Sequence, residues 1–162
     1  MRTTSALAFC LMAPLAFAGD LPDPNITPGS LDSEVTQANL KESICKQTHY
    51  SWSEAHQPPV SFLQELFAQQ TQAYGLTDNN FKHYQMDHLI PLSLGGNPTD
   101  PKNIWPQLLL TKWSARRKDY LEEEIHMKVC NGELPLADAQ ELFRKNWIEA
   151  YKRYIGDPDK TK

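Results

Sequence analysis

The sequence has no surplus of basic charge. Its 16 Lys and Arg stand against 20 Asp and Glu, for a formal charge of −4. A general binder of polyanions usually carries a basic excess, so any contact with nucleic acid has to come from a local patch. Internal repeats and low-complexity tracts are also lacking. No apolar run reaches the roughly 20 residues that a membrane-spanning helix requires. Cysteine is scarce, with Cys10, Cys45 and Cys130 the only three.

The longest apolar run, residues 5–18 (SALAFCLMAPLAFA), follows a short positive start at Met1-Arg2 and ends in Ala16-Phe17-Ala18. That order is the pattern of a signal peptide cleaved before Gly19. Cys10 follows the bulky Phe9, where a lipoprotein would carry a small residue. Export to the periplasm or beyond the cell is therefore expected, with no membrane attachment after cleavage. Loss of Arg2 would leave 15 Lys and Arg against 20 acidic residues, a formal charge of −5. The remaining 144 residues are enough to bury a core.

Cys45 and Cys130 then form an even pair. In an oxidising compartment such a pair reads first as a disulfide. Closing so long a loop would contribute about 4 kcal/mol in the chain-entropy treatment. An alternative is open: Cys45 and His49 are four apart, as are His126 and Cys130, so the four would make a two-Cys, two-His zinc set on two helix faces.

Residues 20–32 (DLPDPNITPGSLD) have no apolar period and are expected as an extended leader, either lying on the surface or loosely ordered. Residues 33–45 have the spacing of a short amphipathic helix burying Val35, Ala38 and Ile44, and residues 46–57 look irregular. Pro58-Pro59 opens a helix with Val60, Leu63, Leu66 and Phe67 as its stripe and Gly75 as its stop. Residues 84–94 alternate like a strand, and Pro91 argues against a helix there. Gly95-Gly96-Asn97-Pro98 is a turn. A helix is expected over 111–129 with Trp113, Tyr120, Leu121 and Ile125 on its apolar edge, stopped by Asn131-Gly132. A last helix spans 135–155, where Ala139, Leu142, Phe143, Trp147, Ile148, Tyr151 and Ile155 recur at helical spacing before Gly156. The fold class is α+β: a mostly helical single domain, 33–162, with one small β element in its middle.

The segment that carries chemistry is Tyr84-Gln85-Met86-Asp87-His88-Leu89-Ile90-Pro91-Leu92-Ser93-Leu94-Gly95-Gly96, continuing to Asn103-Ile104-Trp105-Pro106-Gln107. Hydrolysis of a phosphodiester needs a base, and an imidazole suits that task near neutral pH. It needs a hard cation to offset charge on the phosphate, for which an aspartate oxygen is a fitting ligand. An amide side chain can hold the imidazole in place. Asp87, His88 and Asn103 supply these three types on or beside one hairpin. Successive strand residues point to opposite faces, so Asp87 and His88 converge only where the strand bends. His56 and His83 carry no motif, and Phe143, Trp147, Tyr151 and Tyr154 are expected in the core.

At these residues the sequence resembles the HNH, or ββα-metal, nuclease superfamily. More narrowly, it is similar to secreted bacterial HNH-like proteins with an Asp-His-Leu-Ile-Pro-Leu core, then Leu-Gly-Gly, then Asn-Leu-Trp-Pro-Gln. The similarity also takes in residues 36–45, Pro58-Pro59, the start of the helix after Trp113, residues 129–133 and the Trp147, Tyr151, Tyr154 ending. The resemblance implies a central hairpin-helix motif and a metal-dependent endonuclease. His88 would be the general base, Asp87 a metal ligand, and Asn103 a support for the His or the loop. A divalent cation, Mg²⁺ first and Mn²⁺ or Zn²⁺ as alternatives, would sit between hairpin and helix. In that family the helix begins Trp-Asn-Ala, whereas here it begins Trp113-Ser114-Ala115. Ser114 is then the expected second ligand, a weaker one that lowers the expected metal affinity. Lys118 matches a basic position that would face a phosphate, with Lys112, Arg116 and Arg117 adding to a local cationic patch. The implied partner is nucleic acid, DNA ahead of RNA. The Ser114 departure and the acidic balance keep a second class in view: a catalytically impaired HNH-like fold acting as an exported binding or cell-envelope module. An exported toxin-like effector would need an immunity protein, which nothing in the sequence supplies.

Overall fold

In a computed structural model, residues 19–160 are described. The expected signal segment 1–18 lies outside them. Helix α1 spans His49–His56 and α2 Val60–Ala73; strands β1 (Tyr84–His88) and β2 (Ile104–Leu108) pair antiparallel; α3 (Ala115–Cys130) and α4 (Leu136–Tyr154) complete the chain. The fold is α+β and mostly helical. Among the described residues no helix is long and apolar enough to cross a membrane.

The hairpin is a partition with two faces. Alternation along β1 sends Tyr84 and Met86 onto Leu63, Leu66 and Phe67 of α2, with Ile104 of β2 beside them. On the other side, α3 and α4 bury Leu121, Ile125, Val129, Phe143 and Trp147 in the larger core, which also takes in Val35, Leu40 and Ile44. The Cys45–Cys130 disulfide, with Cα atoms 5.4 Å apart, fastens that early segment to the end of α3. The sulfurs are therefore bonded to each other, and the alternative zinc set does not form.

Residues 89–103 connect the strands, and their course is fixed by close approach. An added Cβ at Gly96 would stand 1.8 Å from the Ile90 carbonyl oxygen, and Gly95 holds φ at +75°. Asn103 closes this loop. Its Nδ2 donates to the Ile90 and Asn97 carbonyls at 3.0 Å each, and its Oδ1 accepts the Ile90 N–H at 2.9 Å.

Several local expectations are corrected. Residues 33–45 are not an amphipathic helix but contain two short 3-10 turns, Gln37–Asn39 and Ile44–Lys46. The Asn39 side chain accepts from Thr36 N–H and donates to the Glu34 carbonyl, an alternative to helical bonding. Ala38 is exposed, and Leu40 is buried in its stead. Residues 49–56, expected to be irregular, form α1, which starts where Thr48 Oγ1 accepts the Ser51 N–H at 3.2 Å. Val60, Tyr120 and Ile155 are exposed rather than buried. Helix α4 is broken at Asn146 (φ −170°, ψ 94°), whose Oδ1 accepts the Glu149 N–H and restarts the helix. The leader turns at residues 24–26 and is tied to the domain: Trp147 Nε1 donates to the Asp20 carbonyl, Tyr74 Oη donates to the buried Thr27 hydroxyl, and Leu31 bridges Gly96.

Candidate active site

His88 is the last residue of β1, and the chain bends at residues 89–90, where the pleat ends. Asp87 and His88 both line one cavity of about 350 Å³. His88 Nε2 lies 3.0 Å from the Pro98 carbonyl oxygen. A carbonyl only accepts, so Nε2 carries the proton and Nδ1 keeps its lone pair. Burial pushes the imidazole down to about 4, against the smaller opposing pull of the Pro98 carbonyl. It is neutral at pH 7, the state a base requires.

Asp87 is buried beside it. One carboxylate oxygen accepts from Lys118 Nζ at 3.1 Å, while Oδ2 is buried with no hydrogen-bond partner. Burial raises its pKa to about 7; the Lys118 ammonium opposes this, and the negative charge of Glu122 adds to it. Lys118 is fully buried at the centre of the network. Its ammonium donates to Asp87 Oδ1, to the His88 carbonyl at 2.6 Å and to Glu122 Oε1 at 2.5 Å, so all three donors are used. Burial opposes that charge, but Asp87 and Glu122 hold the ammonium above its ordinary value. In return, Lys118 and His49 overcome the burial of Glu122 and hold it below the usual carboxylate range. The other Glu122 oxygen faces His49 Nε2 of α1 at 3.7 Å. Burial lowers the His49 imidazole, yet Glu122, with Asp119 and Glu123, more than reverses this and the net direction is up. Asp119 opens on the same cavity and is raised to about 6, first by burial and then by Glu122.

The residues expected from sequence therefore separate. Asp87 and His88 meet in the cavity. Asn103 clamps the loop, its amide bonded to Ile90 and Asn97. Ser114 is the half-buried residue that starts α3 and does not line the cavity. Lys118 is not available to a phosphate, because it is sealed inside and its donors are spent on protein oxygens. Lys112 instead pairs with Asp159, and with Arg117 it lies near the Trp113 ring. Arg116 is exposed. The cationic patch is thus dispersed rather than directed at Asp87 and His88.

Among the charged residues of the cavity, Glu54, Asp119 and Glu122 were not singled out, and His49 was considered only as a zinc ligand. Lys118 and Glu122 carry a legible signal, since they fall on the stripe Ala115, Leu121, Ile125, Val129 that faces the core. Charges four apart on an apolar stripe imply a buried pair. His49 has no such signal, because α1 buries no residue fully.

Acidic groups outnumber basic ones around the cavity. Glu54, Asp87, Asp119 and Glu122 face the site against one ammonium, Lys118, and one imidazole held toward protonation, His49. A phosphate would be repelled unless positive charge were added. The buried, unpartnered Asp87 Oδ2 is the fitting oxygen, and Mg²⁺ commonly takes one or two carboxylates with water completing its shell. No family model, curated protein or solved structure matches this chain.

Proposed function

We propose that the protein is an exported, metal-dependent phosphodiesterase of HNH type acting on nucleic acid, with His88 as general base. The observation that carries the reading is the pairing of a neutral, oriented imidazole with a buried carboxylate oxygen that has no partner, both on one cavity. The order hairpin then helix, β1, β2 and α3, supports it as well. In this reading the Pro98 carbonyl holds the His88 ring, and Nδ1 takes a proton from the attacking water. Asp87 Oδ2 would hold a divalent cation, Mg²⁺ before Mn²⁺ or Zn²⁺, which would supply charge compensation for phosphate and leaving oxygen. Asn103 acts at one remove by fixing the loop that presents Pro98. The disulfide and the apolar start at residues 5–18 support an oxidising destination, periplasmic or extracellular.

The test is digestion of plasmid DNA and of RNA by the purified chain with each metal or with EDTA. Cleavage that EDTA abolishes is the expected result; its absence from folded protein under every metal refutes the reading. One observation favours a second reading, a binding module of the same fold: the Lys118 ammonium already compensates Asp87. That module would show no cleavage and no metal-dependent rise in melting temperature.

A further inference from the structure

The cavity holds a second imidazole that the base-and-metal scheme does not use. We infer that His49 is the general acid of this site, protonating the leaving oxygen of the phosphodiester that His88 and its water attack. The inference rests on the phosphodiesterase reading and extends it.

His49 comes from α1 and His88 from the end of β1, so separate elements bring the two rings to one cavity. His49 Nε2 stands 3.7 Å from Glu122, Glu122 accepts from the Lys118 ammonium at 2.5 Å, and that ammonium also donates to the backbone carbonyl of His88 at 2.6 Å, so one buried ion pair is tied to both α1 and the end of β1. The two rings have opposite surroundings. His88 meets a carbonyl and, nearby, an ammonium. His49 meets carboxylates: Glu122 in contact, with Asp119 and Glu123 also on α3 adding their field. On its own helix Glu54 lines the same cavity, as does Tyr50, and from α3 the His126 ring stands 6.5 Å away. The carboxylates beside His49 favour its charged, proton-donating form, and His49 lines the same cavity as His88.

The step balances without further reactants. His88 Nδ1 takes one proton from water as the new P–O bond forms. The P–O bond to the leaving group breaks, and that oxygen takes the proton from His49. The turnover ends with His88 charged and His49 neutral, and exchange with solvent restores both.

The experiment compares two substrates on wild type, His88→Ala and His49→Gln. One is DNA or RNA, whose alkoxide leaving group needs a proton. The other is a p-nitrophenyl phosphodiester, whose leaving group does not. A general acid is worth about 100-fold or more, so His49→Gln should lose at least about 100-fold on the polymer and only a few-fold on the activated ester. The alkaline limb of the kcat–pH profile should vanish with it. The ratio of the two rates in one sample does not depend on the folded fraction. The His49 ring in wild-type protein, followed by NMR, should titrate above the ordinary histidine value of 6.5. Equal losses on both substrates, no loss on the polymer, or titration at or below 6.5 overturns the acid role while cleavage that needs His88 still stands. Wild-type protein that cleaves neither substrate overturns both readings together.

Discussion

Replacing Lys118 by Met keeps most of the side chain's volume and removes its charge. Lys118 is fully buried and donates to Asp87, Glu122 and the His88 carbonyl. Without the ammonium, two buried carboxylates and a carbonyl oxygen face one another with no donor between them. Removing one member of a buried charge set typically costs 3–5 kcal/mol, about that being expected here. For a domain of this size each kcal/mol shifts the midpoint by roughly 3 °C, so the melt should fall by about 10–15 °C. The loss should also depend on pH. In the variant both carboxylates titrate upward, and protonating them relieves the repulsion, so the gap to wild type narrows as pH falls from 8 toward 4. Urea unfolding of both proteins across that range measures it. A loss below about 1 kcal/mol that is the same at every pH would refute the placement of Lys118 as the keystone of the site.

Asn103→Ala strips the Ile90 N–H and two carbonyls of their buried partner; a loss of about 2–4 kcal/mol is expected from urea unfolding, together with weaker catalysis through the displaced Pro98. Reducing the Cys45–Cys130 bond releases a loop of 85 residues, and thermal melts with and without reductant should differ by about 4.5 kcal/mol. His88 contributes a pH-dependent term. Its pKa is lowered in the fold to about 4 against about 6.5 unfolded, so its contribution is complete above 6.5 and lost as pH falls toward 4. The stability difference between wild type and His88→Gln should shrink over that window by about 3 kcal/mol, and a difference that stays flat would contradict the buried neutral ring.

How much was legible in the sequence follows from how each element is stabilised. Helices α2, α3 and α4 bury apolar stripes, and the period of Leu63, Leu66 and Phe67, or of Ala139, Phe143 and Trp147, is visible in one dimension. The Gly95-Gly96 turn and Asp87-His88 were visible as motifs. Helix α1 was not, because polar capping by Thr48 and tertiary contacts such as Trp52 Nε1 to the Leu92 carbonyl at 3.0 Å hold it in place of a stripe. Lys118 differs from its neighbours in the run 116–118 by its helical spacing, four residues before Glu122 on the buried stripe. Only its register against Leu121 and Ile125 turns it inward, while Arg116 is exposed. The family resemblance implied a phosphate contact, and burial makes Lys118 an internal counterion instead. His49 enters the site through a tertiary contact between α1 and α3 that no local pattern encodes.

In the proposed function His88 removes the proton from the attacking water. This is tested by hydrolysis of DNA and RNA in Mg²⁺ by wild type and by folded His88→Ala, without and with added imidazole. A loss of at least about 100-fold is expected, partly restored as imidazole enters the space the side chain leaves. Undiminished cleavage by His88→Ala, or no cleavage by folded wild type, would contradict it.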